Sequence, residues 1–169
     1  MSVRSRFDEL KTHLAELAAR LGVPKENFDD STAKMEIRPG GHNETEDGIH
    51  FADVCYAGSL YVERLTAPQA FFLALAARAW LDEHDDTRYA YKLGEIEVDF
   101  IRLDDGILRD LMLTADFVDP VHLVEIDALT PDDAPRLAWN GREYALAEYD
   151  LWVAESCSVS GKLKTEAQL

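Results

Sequence analysis

The chain has 169 residues, 47% of them hydrophobic and 30% charged, with a formal net charge of −16. That length and composition describe an ordinary globular protein that buries roughly two-thirds of its unfolded surface in one core. So acidic a surface repels phosphate, and the 17 Lys and Arg are scattered, which argues against direct nucleic-acid binding.

Phe7, Leu10, Leu14, Leu17 and Leu21 recur at three- and four-residue spacing and predict an amphipathic helix over 5–21. Ser5 and Asp8 offer a cap, and Gly22 with Pro24 a stop. The helix is expected to pack on its own core, the other reading being an arm that docks on a neighbouring subunit. Residues 25–48 are polar and turn-rich, with one short strand expected at 34–38, Met35 and Ile37 inward. His42, Glu44, Glu46, Asp47 and His50 follow in a Gly-rich stretch. They lack strict ligand spacing on a rigid element and read as a solvated loop.

Residues 49–65 are rich in β-formers, with Gly58 expected to mark a bulge or turn. Thr66 caps the next helix, 67–83, with Pro68 in its first turn. Phe71, Phe72, Leu73, Leu75, Trp80, Leu81 and several alanines make it apolar around nearly its whole circumference. Such a helix is buried on more than one side. One sheet covers only one side, which leaves another for the first helix or for a second subunit. Phe71, Phe72, Leu75 and Trp80 are the expected subunit-interface residues.

An Asp-Gly pair flanked by alternating hydrophobics is the strongest short-range hairpin signal. Asp105-Gly106 as a two-residue type I′ loop fixes the register of a hairpin over 95–117. Phe100 then faces Leu111, Val98 faces Leu113 and Ile96 faces Ala115 on a core face. The other face pairs Ile101 with Asp110, Asp99 with Met112, Glu97 with Thr114, and Glu95 with Asp116. Like charges across a ladder are unfavourable, so the acidic face, Glu95, Glu97, Asp99, Asp110 and Asp116, is tolerated or wanted. A third strand is expected at 121–126 after Asp119-Pro120, and Asn140-Gly141 predicts a second hairpin over 137–153. The last residues, 158–169, read as a tail.

Catalytic signatures are not evident. The chain carries no G-x-S-x-G, P-loop, H-E-x-x-H or dinucleotide fingerprint. Glu83-His84-Asp85-Asp86 closes the long helix, where a histidine is a common dipole partner. Cys55 and Cys157 stand outside any C-x-x-C pair and read as reduced thiols rather than metal or redox ligands. No apolar run reaches the roughly 18 residues of a membrane helix, and the first residues lack a signal-peptide core. The expectation is a protein folded in the cytoplasm, without catalytic, metal or cofactor site.

Residues 73–83 (LALAARAWLDE), the hairpin over 94–117, residues 121–126 (VHLVEI) and the WNGREY hairpin at 139–144 resemble the tail completion protein R family of temperate, contractile-tailed phages. The resemblance covers roughly 49–144. It implies a tail terminator, an α/β subunit of a hexameric ring on the head-proximal end of the tail tube. The ring stops tube polymerisation and offers a docking face to the head or neck. Implied partners are further copies of the chain, the tail tube protein, the sheath protein and a head or neck connector, with DNA passing through the channel without specific binding. The implied location is the virion, after assembly in the host cytoplasm.

The expected fold is therefore a single α+β domain over 1–157, a mainly antiparallel sheet of about four to six strands packed against two helices. The acidic face would line the ring lumen. Two other readings remain: a cytoplasmic protein-binding adaptor, and a small hydrolase or isomerase built around His84 with Asp85, Asp86 and the acidic face.

Overall fold

The structure, a computed structural model, describes residues 5–130, 132 and 134–147. The expected tail, Cys157 and the end of the second hairpin (148–153) lie outside the described residues. The fold is α+β, with mainly antiparallel strand pairing. Its elements are α1 (Arg6–Arg20), a 3-10 turn (Lys25–Asn27), β1 (Phe28–Pro39), β2 (Glu44–Thr45), β3 (Gly48–Leu65), α2 (Ala67–His84), α3 (Thr87–Ala90), β4 (Glu97–Arg102), β5 (Arg109–Glu125), β6 (Arg136–Trp139) and β7 (Arg142–Leu146). The strand order is β1-β3-β5-β7-β6, with β2 on β3 and β4 on β5. The described residues divide into two compact units: Arg6–Glu36 with Val54–Asp119, and Ser5 and Ile37–Asp53 with the described residues from Pro120 to Ala147.

In the first unit α1 buries Phe7, Leu10, Leu14 and Ala18. Phe7, Leu10 and Leu14 meet Leu60 of β3 and Leu113, Ala115 and Phe117 of β5 around a narrow apolar cleft. The helix packs at home, as the main expectation had it. It ends in a Schellman motif, Gly22 N–H donating to Ala19 O at 3.1 Å and Val23 N–H to Ala18 O at 2.9 Å. Gly58 does not make a turn; it lies inside β3 and is buried. A Cβ there would stand 2.6 Å from the Phe7 ring, so the missing side chain is what lets α1 approach the sheet. Gly58→Ala is expected to destabilise the protein by about 1–3 kcal/mol, the usual effect of overpacking. Phe7→Leu in the same chain should recover part of that loss in a denaturant titration.

The first hairpin keeps its expected register: Glu97 pairs with Thr114, Val98 with Leu113, Asp99 with Met112, Phe100 with Leu111 and Ile101 with Asp110. The turn differs. Leu103 N–H donates to Leu108 O, Gly106 N–H to Leu103 O, and only Gly106 of the loop has positive φ, at 71°. A four-residue loop, 104–107, thus replaces the two-residue one, held by Asp105 Oδ1 accepting from Ile107 and Leu108 N–H. Adding one loop residue on each side leaves the register unchanged. The ladder starts at Glu97, so the expected pairs Ile96–Ala115 and Glu95–Asp116 stand outside it. Phe100, expected on the core face, is 44% exposed, although Leu111 opposite it is fully buried.

Two strands run further than expected. β1 spans twelve residues rather than five, and Met35 and Ile37 are 48% and 71% exposed rather than inward. Pairing with β3 holds it, so it needs no amphipathic face. β5 continues straight through Asp119-Pro120 instead of stopping there. Backbone groups alternate sides along a strand. Pro120 therefore lacks its N–H on the side where Asp116 O accepts from Arg88 and His122 O from Ala147 N. Ladder pairs on that side stop at Thr114 and resume at Leu123, so the missing donor leaves no ladder bond unmade.

In the second unit the Asn-Gly hairpin forms as expected, Trp139 pairing with Arg142 around Asn140 and Gly141 at φ 50° and 73°. Trp139 packs against Phe51, His42 and Tyr144, with ring centroids 5.3, 5.2 and 5.8 Å away.

Candidate functional site: an exposed apolar helix face and an acidic hairpin

Helix α2 starts in a full capping box: Thr66 N–H donates to Gln69 Oε1 at 2.9 Å and Gln69 N–H to Thr66 Oγ1 at 3.4 Å. Its inner side buries Ala70, Leu73, Ala74, Ala77, Trp80 and Leu81. On the outer side Phe71, Phe72 and Leu75 are 59%, 47% and 54% exposed. Three of the four expected interface residues therefore share an open apolar stripe. Trp80 does not: at 6% exposure it belongs to the core, stacked on His84 at 4.9 Å. The helix is polarised by burial although its composition is apolar all round, so its apolar spacing carries no phase. Arg78 ends the stripe, paired with Asp82 and 3.6 Å from Glu95.

The acidic residues do not form one continuous face. Glu97, Asp99 and Asp116 are exposed. Glu95 is exposed too, but it precedes β4 and turns to Arg78 of the helix. Asp110 is buried at 8% exposure, contrary to the expected open carboxylate. Its oxygens accept from Tyr61 Oη at 2.5 Å and Arg64 N–H at 2.9 Å. Register placed Asp110 on the correct face, but Tyr61 reaches over it from β3, a contact 49 residues away in sequence. The hydrogen bond to Asp110, with burial second, pushes the Tyr61 phenol up to about 12. A raised folded-state value means that Tyr61 contributes stability below pH 10, lost as pH rises through 12. A spectroscopic tyrosinate titration of the parent should show one late-ionising phenol that Tyr61→Phe removes; identical late titrations would contradict the assignment.

A buried ionic cluster lies beside these surfaces. Asp85, fully buried, receives Thr87 Oγ1 at 2.5 Å and Arg88 at 3.4 Å, and Arg6 Nε stands 3.5 Å away. Arg88 also donates to the carbonyls of Asp116 and Gly94. Arg6 extends to Asp119 at 3.5 Å, whose other oxygen accepts from Tyr56 Oη at 2.7 Å. Burial raises the Asp119 carboxyl above its usual range, against the lowering effect of Tyr56 and Arg6. Asp85 is thus committed to two arginines and a threonine, while His84 Nδ1 stands 3.1 Å from Trp80 O. This cluster had no signal in the sequence beyond the acidic residues after α2.

His42, Glu44, Glu46, Asp47 and His50 do not converge. Among the described residues no group of three or more His, Cys, Asp or Glu is placed to hold a metal ion. Nor is any described helix long and apolar enough to cross a membrane. Comparison with family models, with curated proteins and with solved structures finds no match.

Proposed function

We propose that this chain is a structural subunit, without catalytic role, that caps the head-proximal end of a contractile phage or phage-derived tail tube as a hexameric ring. The observation that carries the reading is the stripe of Phe71, Phe72 and Leu75 left in water on α2. Half-exposed aromatic and aliphatic side chains grouped on one helix face mark an interaction surface. In a ring, contacts are heterologous, one patch of each copy meeting a different patch of the next, and α2 supplies one such patch. The resemblance of 73–83, of the two hairpins and of 121–126 to tail completion proteins points the same way. Glu97, Asp99 and Asp116 supply a surface that repels phosphate, suited to a lumen through which DNA passes. The tube protein and the sheath protein would meet the ring on one side and a head or neck connector on the other.

Tails assembled without the protein should carry tubes of uncontrolled length, and adding it back should restore one length. Glu97→Lys with Asp99→Lys should then slow DNA ejection while ring assembly stays intact. Tubes of normal length without the protein, together with a stoichiometric complex with a cellular protein, would instead support the adaptor reading.

A further inference from the structure

In the second unit β3 carries His50 and Asp53, and β5 carries His122. His50 Nε2 lies 2.8 Å from Asp53 Oδ1, and Asp53 is 5% exposed. Gly41 N–H donates to His50 Nδ1 at 3.3 Å. With Nδ1 accepting, the neutral ring carries its proton on Nε2 and donates it to Asp53. The loop at residues 40–43 is tied to β3 by further bonds: Gly40 N–H to Phe51 O and His42 N–H to His50 O, both 2.8 Å, and His50 N–H to Asn43 O at 3.0 Å. The His122 ring stands 5.5 Å from the His50 ring.

We propose that His50 and His122 form a proton-operated latch on the loop at residues 40–43, closed at neutral pH and loosened when the pair takes up a proton in mild acid. A proton from solvent adds to the lone pair of His50 Nδ1, the one Gly41 uses. The imidazolium then carries N–H at both nitrogens, its charge held by Asp53, and Nδ1–H opposes Gly41 N–H, donor against donor. His122 sets the threshold, because charge on either ring opposes charge on the other and the two titrate as a pair. Burial first, and the His50 charge second, hold His122 below the ordinary histidine value. The charged groups acting on His122 are His50 and Asp53 from β3 and Asp47 from the turn before it. On the β7 side its neighbour Ala147 is uncharged and donates its N–H to His122 O at 3.0 Å. The His42 ring is turned away, onto Phe51 and Trp139.

The test is amide hydrogen exchange of the full chain, with NMR titration of the histidine rings. After correction for intrinsic exchange, Gly41 protection should fall about tenfold between about pH 7.5 and 5.5, as one hydrogen bond is lost. His50→Phe should lower that protection at both pH values and remove its pH dependence. His122→Leu, which removes the opposing ring, should move the loss of Gly41 protection to higher pH. The same Gly41 profile in the parent and both variants would overturn the latch.

Discussion

Asp85→Ala is expected to lower the melting temperature by roughly 10 °C, from a loss of about 3–5 kcal/mol. The carboxylate is fully buried between Arg6 Nε at 3.5 Å and Arg88 at 3.4 Å, and it also accepts from Thr87. Arg88 itself is 8% exposed. Removing the anion leaves two guanidinium groups facing each other with little water to replace it. The Arg6 Nε atom is already buried without a hydrogen-bond partner, so the local margin is small. Asp86→Ala is the control. Its side chain is 90% exposed and meets Arg6 at 3.2 Å on the surface, where such pairs contribute little. Thermal denaturation followed by circular dichroism separates the two; equal melting temperatures would show that the buried pair is not what holds α1, α2 and α3 together.

Phe71→Glu combined with Leu75→Glu is expected to abolish self-association without unfolding the chain. Both side chains are more than half exposed, so little internal packing is lost. Covering Phe71, Phe72 and Leu75 against another copy stabilises each contact by about 1 kcal/mol per side chain, half the value of full burial. Losing two of these three contacts, about 2 kcal/mol, weakens association roughly thirtyfold, and two buried carboxylates oppose it further. Sedimentation across a concentration series should find the parent associated and the variant monomeric, with unchanged circular dichroism. Trp80→Ala should fail differently: Trp80 is a core residue, and its loss should cost about 3–5 kcal/mol of stability. Association that survives the double glutamate variant would remove α2 from the contact.

The elements legible in the sequence are those whose signal is local. Two-residue periodicity and Asp-Gly placed the first hairpin in register, and Asn-Gly placed the second. Apolar spacing located α1, and Thr66 with Pro68 located the start of α2. What was missed depends on distant partners. Asp110 is covered by Tyr61 from another strand, and Arg6 reaches Asp86 and Asp119 across separations of 80 and 113 residues. Periodicity showed only the 34–38 part of β1 and could not reveal its full length, because both its faces are exposed. For α2 the apolar circumference hid which side is core, and so misplaced Trp80. The break expected at Pro120 assumed that a strand needs every N–H, whereas that position has no ladder partner on the relevant side.

The most direct test of the ring reading is negative-stain electron microscopy of purified contractile tails mixed with gold-labelled protein. Label at a single tip, the end that meets the head, with ring-shaped density there that the Phe71→Glu, Leu75→Glu variant fails to form, is the expected result. Unlabelled tips with the parent protein dispersed as monomers would contradict it.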